Sequence, residues 1–181
     1  MSFVKFLPHA AIIAVLAAIL QYAALVPGLK SYLIAPAIFQ TWALYFLAGA
    51  NPVKGIRAVA CGIAGVLAAM LIVVLGTNLI PILGAHWAFT LACMVVAFLC
   101  ILMERVPPLD FIPAYFIGAG IFFLLPDASM GFKLLQCIII LFAGFGLGYL
   151  TVLFRGQYAA SIAPPAAAKT ESRREPELVG K

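Results

Sequence analysis

Charged side chains are scarce in this sequence, and none lies deep within an apolar stretch. Asp, Glu, Lys and Arg make up 9% of the residues, whereas 66% are hydrophobic. A water-soluble chain of this length needs far more polar cover, so the composition excludes a soluble domain and indicates an integral membrane protein. Proton relays and ion-coupled pumps need ionisable side chains at mid-membrane. Their absence argues against an obvious proton- or sodium-coupled mechanism.

Several other patterns are missing. No stretch alternates polar and apolar residues as a transmembrane β-barrel requires, so helices are left as the way to satisfy the backbone in lipid. Lys and Arg form no stripe with interleaved aromatics, and nucleic-acid binding is not expected despite the net charge of +5. The four cysteines fall within apolar runs without metal-ligand spacing, as small packing residues do. No protease, phosphate-loop or Ser–Asp signature is present, so we expect no enzymatic activity, cofactor or metal.

Six apolar runs predict six transmembrane helices. They cover residues 8–26, 33–50, 57–76, 86–103, 111–126 and 133–154. Residues 1–154 would form the membrane domain, and the polar, Ala/Pro-rich segment 155–181 would be a disordered cytoplasmic tail.

The charges between the runs predict the orientation. With six spans, both termini lie on one side of the membrane. That side holds Lys5, Lys54, Arg57, Arg105 and Arg155 together with the other basic residues of the tail, against Lys30 and Lys133 opposite. The positive-inside rule therefore places both termini in the cytoplasm.

The second and fifth runs are short and begin with a proline. Pro36 and Pro113 lie near their starts, and the runs end at Ala50 and Pro126. At about 1.5 Å per residue, such runs barely reach across the roughly 30 Å apolar layer of a bilayer. Short, proline-interrupted spans at matching places in two halves are typical of the solute site of a membrane transporter.

An offset of 77 residues relates two halves of the chain, 8–76 and 85–154. It aligns His9 with His86 and Pro36 with Pro113. Because each half holds three spans, the halves would be inverted repeats. The alternative is that six apolar helices merely share a composition. In an inverted arrangement His9 and His86 would stand at opposite mouths, where they could sense pH, steer a solute or simply cap a helix start.

Polar and aromatic residues within the two short runs are candidates for lining a solute path. Aromatic rings with one hydroxyl and one amide could select a small solute by size and hydrogen bonding. The candidates are Gln40, Thr41, Trp42, Tyr45, Tyr115, Phe116, Gly118 and Phe122. The other interpretation is that the aromatics are core residues and that Gln40 bridges helices.

Small residues in the third and sixth runs indicate close helix packing. The positions are Gly62, Gly65, Gly144 and Gly148. Small residues let helix backbones approach in lipid, either within one chain or between subunits. A 19.2 kDa protein offers little wall for a pore, which favours a homo-oligomer.

Four short motifs carry a resemblance to a known family. They are Tyr45-Phe46, Lys54-Gly55, Phe116-Ile117-Gly118-Ala119 and Gly146-Leu147-Gly148-Tyr149. Over roughly residues 8–158 the chain resembles a family of small bacterial inner-membrane proteins catalogued as domain of unknown function 1097. The resemblance implies an inner-membrane location and supplies no substrate or catalytic residues.

The sequence thus predicts an all-α integral membrane protein that acts as a channel or facilitator for a small neutral or weakly charged solute. The path would run between the second and fifth spans, and the partners would be the bilayer, the solute and further copies of the chain. Two alternatives remain: a membrane scaffold or accessory subunit that docks partners through its Gly-rich helices, and an alternating-access exporter.

Overall fold

The computed structural model describes residues 3–161, and its regular elements there are helical. They are α1 (Phe3–Leu25), α2 (Ala35–Leu47), α3 (Pro52–Leu102), α4 (Ile112–Leu124) and α5 (Met130–Ser161), with a 3-10 turn at Met103–Arg105. The all-helical prediction is confirmed. Parts of α1, α3 and α5 are long and apolar enough to cross a membrane, and α2 and α4 are shorter.

The surface of these helices is apolar. Large side chains such as Ile19, Leu67 and Phe98 are more than one-third exposed. A soluble protein rarely exposes so much contiguous apolar surface, whereas a lipid-facing helix must. The chain is therefore a membrane protein.

The long helix α3 turns back on itself at Gly84. The backbone there is non-helical (φ 72°, ψ 159°), a region open almost only to glycine. Gly76 lies against the ring of Phe89. In a straight helix these two residues would be about 20 Å apart, at 1.5 Å per residue. Residues 52–83 and 85–102 are thus two arms packed side by side.

Two sequence-based boundaries in α3 were wrong. Residues 77–85, which include Pro81, were expected to be a short connection between two spans, yet the helix continues up to Gly84. Thr77 Oγ1 donates a hydrogen bond to the Val73 carbonyl at 2.8 Å, so side chains bond to the backbone just ahead of the proline. The helix also begins earlier than residue 57, since Asn51 Oδ1 accepts from the Val53 amide at 2.9 Å and caps its start.

The two short helices match in length and position. Both α2 and α4 have 13 residues and a proline in the first turn, and their starts are 77 residues apart. Each is about 20 Å long at 1.5 Å per residue, which is less than the apolar thickness of a bilayer.

Each short helix packs mainly on the long helix of the other half: α4 on α3, and α2 on α5. The two also contact each other. Ser31 and Ile34, just before α2, share a cavity with Asp127, just after α4. Arg57, near the start of α3, pairs with Asp110, just before α4. Since α2 leads into α3, α2 and α4 run in opposite directions.

These contacts define two ends of the bundle. The Arg57 end holds the start of α3 and the approach to α4, and the Lys30 end holds residues 26–34 and 125–129. His9 and Tyr158 pack edge to face with ring centroids 5.1 Å apart, so the start of α1 adjoins the end of α5. Tyr45, at the end of α2, lies against both Gly55 and Gly148, which places that region near the Arg57 end.

The predicted tail begins inside α5. Residues 155–161 are helical, because their Arg, Gln and Ala continue a helix readily. The rest of the predicted tail, residues 162–181, lies outside the described residues. The side chain of Lys5 is also outside the described part of the structure.

Candidate functional site

The middle of α2 is packed tightly onto α5. Thr41 Oγ1 lies 3.0 Å from the carbonyl oxygens of both Ile140 and Ile38, so its proton bonds to backbone on both helices. A methyl group at Gly144 would overlap Thr41, with the Thr41 carbonyl carbon only 2.6 Å away. One turn on, Tyr45 fills the space that a side chain at Gly148 would need. No solute could pass between these groups as they stand.

The crossing of α4 with α3 is equally close. A Cβ atom at Gly65 would lie 2.6 Å from the Tyr115 Cα, and one at Gly118 would overlap the Gly62 backbone. The Tyr115 hydroxyl donates to the Leu109 carbonyl at 3.0 Å. All four packing glycines of the two long helices thus face contacts inside one chain.

The remaining candidate path residues occupy different surroundings. Trp42 is 4% exposed and stacks on Phe39. Gln40 is exposed on the surface of α2. Phe116 is 56% exposed and borders an apolar crevice of about 250 Å³ between the arms of α3 and α4. Phe122 is buried, and the Lys133 ammonium nitrogen lies 4.6 Å from the centre of its ring.

Three buried polar atoms at α2 and α5 have no hydrogen-bond partner among the described residues. They are Trp42 Nε1, the Tyr45 hydroxyl and Gln136 Oε1, in side chains that are at most 4% exposed. Leaving such a group unpaired costs about 1–3 kcal/mol, so each one calls for a physical reason.

A polar cavity of about 200 Å³ lies at the Lys30 end, where the start of α2 meets the end of α4. Its polar lining comes from Lys30, Ser31, Asp127 and Gln136. Its apolar lining comes from Ile34, Pro126, Ala128 and Phe132. The cavity therefore lies at one end of the interface between the two short helices.

Gln136 is the buried polar residue of this cavity. Its Nε2 donates to the Ser31 carbonyl, which joins α5 to the segment before α2. This bond orients the amide and leaves Oε1 as an acceptor without a partner in the described part of the chain. Lys133, one turn earlier on α5, is 9% exposed, does not line the cavity and rests on the Phe122 ring.

The Arg57 end is closed by an ion pair. Arg57 Nε donates to the Pro108 carbonyl at 2.9 Å, and its guanidinium also pairs with the Asp110 carboxylate. Cys61 Sγ lies 3.8 Å from the same Pro108 carbonyl and is fully buried. The guanidinium thus ties the approach of α4 to the start of α3.

The tie at each end joins equivalent positions. The offset of 77 residues relates Ser31 to Pro108. After the short helices an insertion of two residues in the second half raises the offset to 79, which aligns Lys54 with Lys133 and Arg57 with Gln136. In both cases a side chain near the start of a long helix donates to a carbonyl just before a short helix of the other half.

The two histidines lie at opposite ends. His9 is buried against Tyr158 near the Arg57 end. His86 is exposed just after the Gly84 turn, and its carbonyl accepts from Thr90 Oγ1 at 2.7 Å.

Sequence reasoning missed the cavity. Gln136 and Asp127 were not among the candidate site residues, and Lys30 served only as an orientation signal. The repeat alignment could have indicated Gln136, because it pairs this residue with Arg57, which contacts a loop.

This arrangement defines a polytopic helical membrane protein with two short helices between long ones and a polar cavity at one end of the bundle. The chain belongs to the family described as "Protein of unknown function (DUF1097)", whose model matches residues 10–155. The resemblance drawn from the sequence motifs is thereby confirmed. No curated protein and no solved structure matches the chain.

Proposed function

We propose that the protein is a facilitator for a small polar solute in the bacterial inner membrane, with the solute path between α2 and α4. One observation carries the proposal: Gln136, which lines a polar cavity at one end of the interface of the two short helices, has a buried acceptor, Oε1, without a partner among the described residues. A structural amide would have both of its polar groups satisfied. A solute donor in the cavity would supply the missing partner.

The other two unpartnered atoms support a path along α2. Trp42 and Tyr45 follow one another on the same helix, from its middle toward the Arg57 end. A polar solute or water moving along α2 would satisfy each group in turn. Thr41, beside Trp42, is packed against α5, so a solute that reaches this side of α2 from the cavity requires α2 to move away from α5 as well.

Inverted repeats give this movement a physical basis, and we include six spans in two such repeats in the proposal. The equal lengths and opposite directions of α2 and α4 support it, as do the equivalent ties of Arg57 and Gln136. Two halves of the same build can exchange roles at the two ends, which is the basis of alternating access.

The orientation follows from charge. Lys54, Arg57 and Arg105 lie at or near the Arg57 end, where the start of α1 also adjoins the end of α5. By the positive-inside rule, the proposal has the Arg57 end and both termini in the cytoplasm. The cavity then opens to the periplasm.

The packing glycines weigh against the scaffold alternative, because Gly62, Gly65, Gly144 and Gly148 are used within the chain. A homo-oligomer remains part of the proposal, and native mass spectrometry from detergent micelles would test it.

The test is solute flux into proteoliposomes, measured as osmotic swelling with a panel of small polar solutes. Ala128→Trp should plug the cavity and abolish flux, since residue 128 lines it without core packing. Ala85→Trp, at an exposed site after the Gly84 turn, is the matched control and should retain flux. Absence of flux for every solute, with the wild-type protein folded, would refute the proposal and favour the scaffold. Equal flux in both variants would refute the cavity as part of the path.

A further inference from the structure

One cationic, one anionic and one buried amide side chain line the cavity at the Lys30 end. These groups are Lys30, Asp127 and Gln136. Among the side chains of residues 7–161, Arg57 and Asp110 form a salt bridge, with a nitrogen and an oxygen within 4.0 Å of each other. Lys30 and Asp127 share the cavity but form no such salt bridge. Opposite charges that line one cavity unpaired can both be met by a ligand that carries both charges.

We infer, resting on the function proposed above, that the cavity binds a small α-amino acid as its zwitterion. The ligand carboxylate meets the Lys30 ammonium, and the ligand ammonium meets the Asp127 carboxylate and Gln136 Oε1. An ammonium has three donors, which suits two acceptors and a water molecule.

Simpler ligands satisfy fewer of these groups. An anion without an ammonium group is repelled by Asp127 and gives Gln136 no charged donor. A cation without a carboxylate is repelled by Lys30. A neutral amide can donate to Gln136 Oε1 but leaves both charged side chains to water, so it gains no charge-assisted hydrogen bond.

Size and wall chemistry limit the side chain of the amino acid. A volume of about 200 Å³ equals that of six or seven water molecules, at roughly 30 Å³ each. Ile34, Pro126, Ala128 and Phe132 form an apolar wall, which accepts a methyl or branched aliphatic group and rejects a charged one.

The experiment measures binding to the full chain in detergent micelles by isothermal titration. The probes are L-alanine and three near-isosteres: L-lactate without the ammonium, isopropylamine without the carboxylate, and neutral acetamide. L-alanine should bind at least about tenfold more tightly than each of the others, as expected for the loss of one charge-assisted hydrogen bond.

Three substitutions test the individual contacts. Lys30→Gln, Asp127→Asn and Gln136→Leu should each weaken L-alanine binding about tenfold or more. Lys30→Gln and Asp127→Asn change exposed residues, so their melting temperatures without ligand should match the wild type. Glu104→Gln, exposed at the opposite end, is the control and should leave the affinity unchanged.

Equal affinity for all four probes, preference for L-lactate or acetamide, or no L-alanine binding at millimolar concentration would overturn the inference. Binding of L-alanine without flux in proteoliposomes would refute the proposed transport and leave the amino-acid site standing. Flux of a non-zwitterionic solute without L-alanine binding would refute the amino-acid site and leave the proposed transport standing.

Discussion

Replacement of Gly144 by alanine should destabilise the protein, whereas the same change at Gly146 should not. A Cβ atom at residue 144 would overlap Thr41 Oγ1 and lie 2.6 Å from the Thr41 carbonyl carbon, while a Cβ at residue 146 meets nothing within 4 Å. Both positions are inside α5, so the gain of about 0.5–1 kcal/mol in helix propensity is common to both variants.

The difference between the two variants therefore isolates the helix contact. Overpacking costs about 1–3 kcal/mol. Displacement of α2 would also break the hydrogen bond from Thr41 to the Ile140 carbonyl, worth about 0.5–1.5 kcal/mol. Gly144→Ala should thus be about 1.5–4.5 kcal/mol less stable than Gly146→Ala, measured by reversible SDS unfolding in mixed micelles.

A double-mutant cycle with Thr41→Ala tests the cause. Removal of Oγ1 relieves part of the overlap, so the double variant should be more stable than the sum of the two single changes by at least about 0.5 kcal/mol. Equal stability of Gly144→Ala and Gly146→Ala, or simple additivity in the cycle, would refute the proposed contact between α2 and α5.

Three further predictions address the turn, the closed end and the orientation. Gly84→Ala should lower the free energy of unfolding by about 1–3 kcal/mol through backbone strain alone. Gly120→Ala is the control and should not lower it, because Gly120 has equal space for a Cβ atom but a helical backbone. Comparable midpoints of SDS unfolding for the two variants would contradict this prediction. In a variant whose other cysteines are serine, Arg57→Ala should increase the rate of maleimide labelling of Cys61 about two- to fivefold. The reason is that a half-exposed ion pair contributes about 0.5–1 kcal/mol to keeping this end closed. An unchanged labelling rate would show that Arg57 does not close this end. A fluorescent protein fused to the C-terminus should fold in the cytoplasm, and a periplasmic alkaline phosphatase fusion there should be inactive; the opposite pattern would reverse the proposed orientation.

The short helices could be predicted closely from the sequence. The runs 33–50 and 111–126 contain α2 and α4, because a proline in the first turn marks a helix start and the offset of 77 residues transfers one boundary to the other. The membrane class followed from composition alone, since scarce charge leaves no polar surface for a soluble fold.

The turn in α3 and the cavity could not be predicted in the same way. Pro81 has the stronger local signal for a break, yet the helix continues past it, and the turn needs the positive φ that Gly84 permits. The cavity depends on Gln136 meeting Ser31, which is 105 residues away. An amide in an apolar run has many potential partners, and only the packing of α2 on α5 selects one.

The two ends of the bundle are tied by different side chains. Arg57 and Gln136 occupy equivalent positions, and each donates to the carbonyl of a facing loop. A guanidinium has donors only, and at its end Asp110 accepts from it and closes the gap. The repeat offset places Leu33 where the other half has Asp110. Gln136 Oε1 has no hydrogen-bond partner among the described residues. One end of the bundle is therefore closed by an ion pair, whereas the other keeps an unpartnered acceptor, because an amide has the acceptor that a guanidinium lacks.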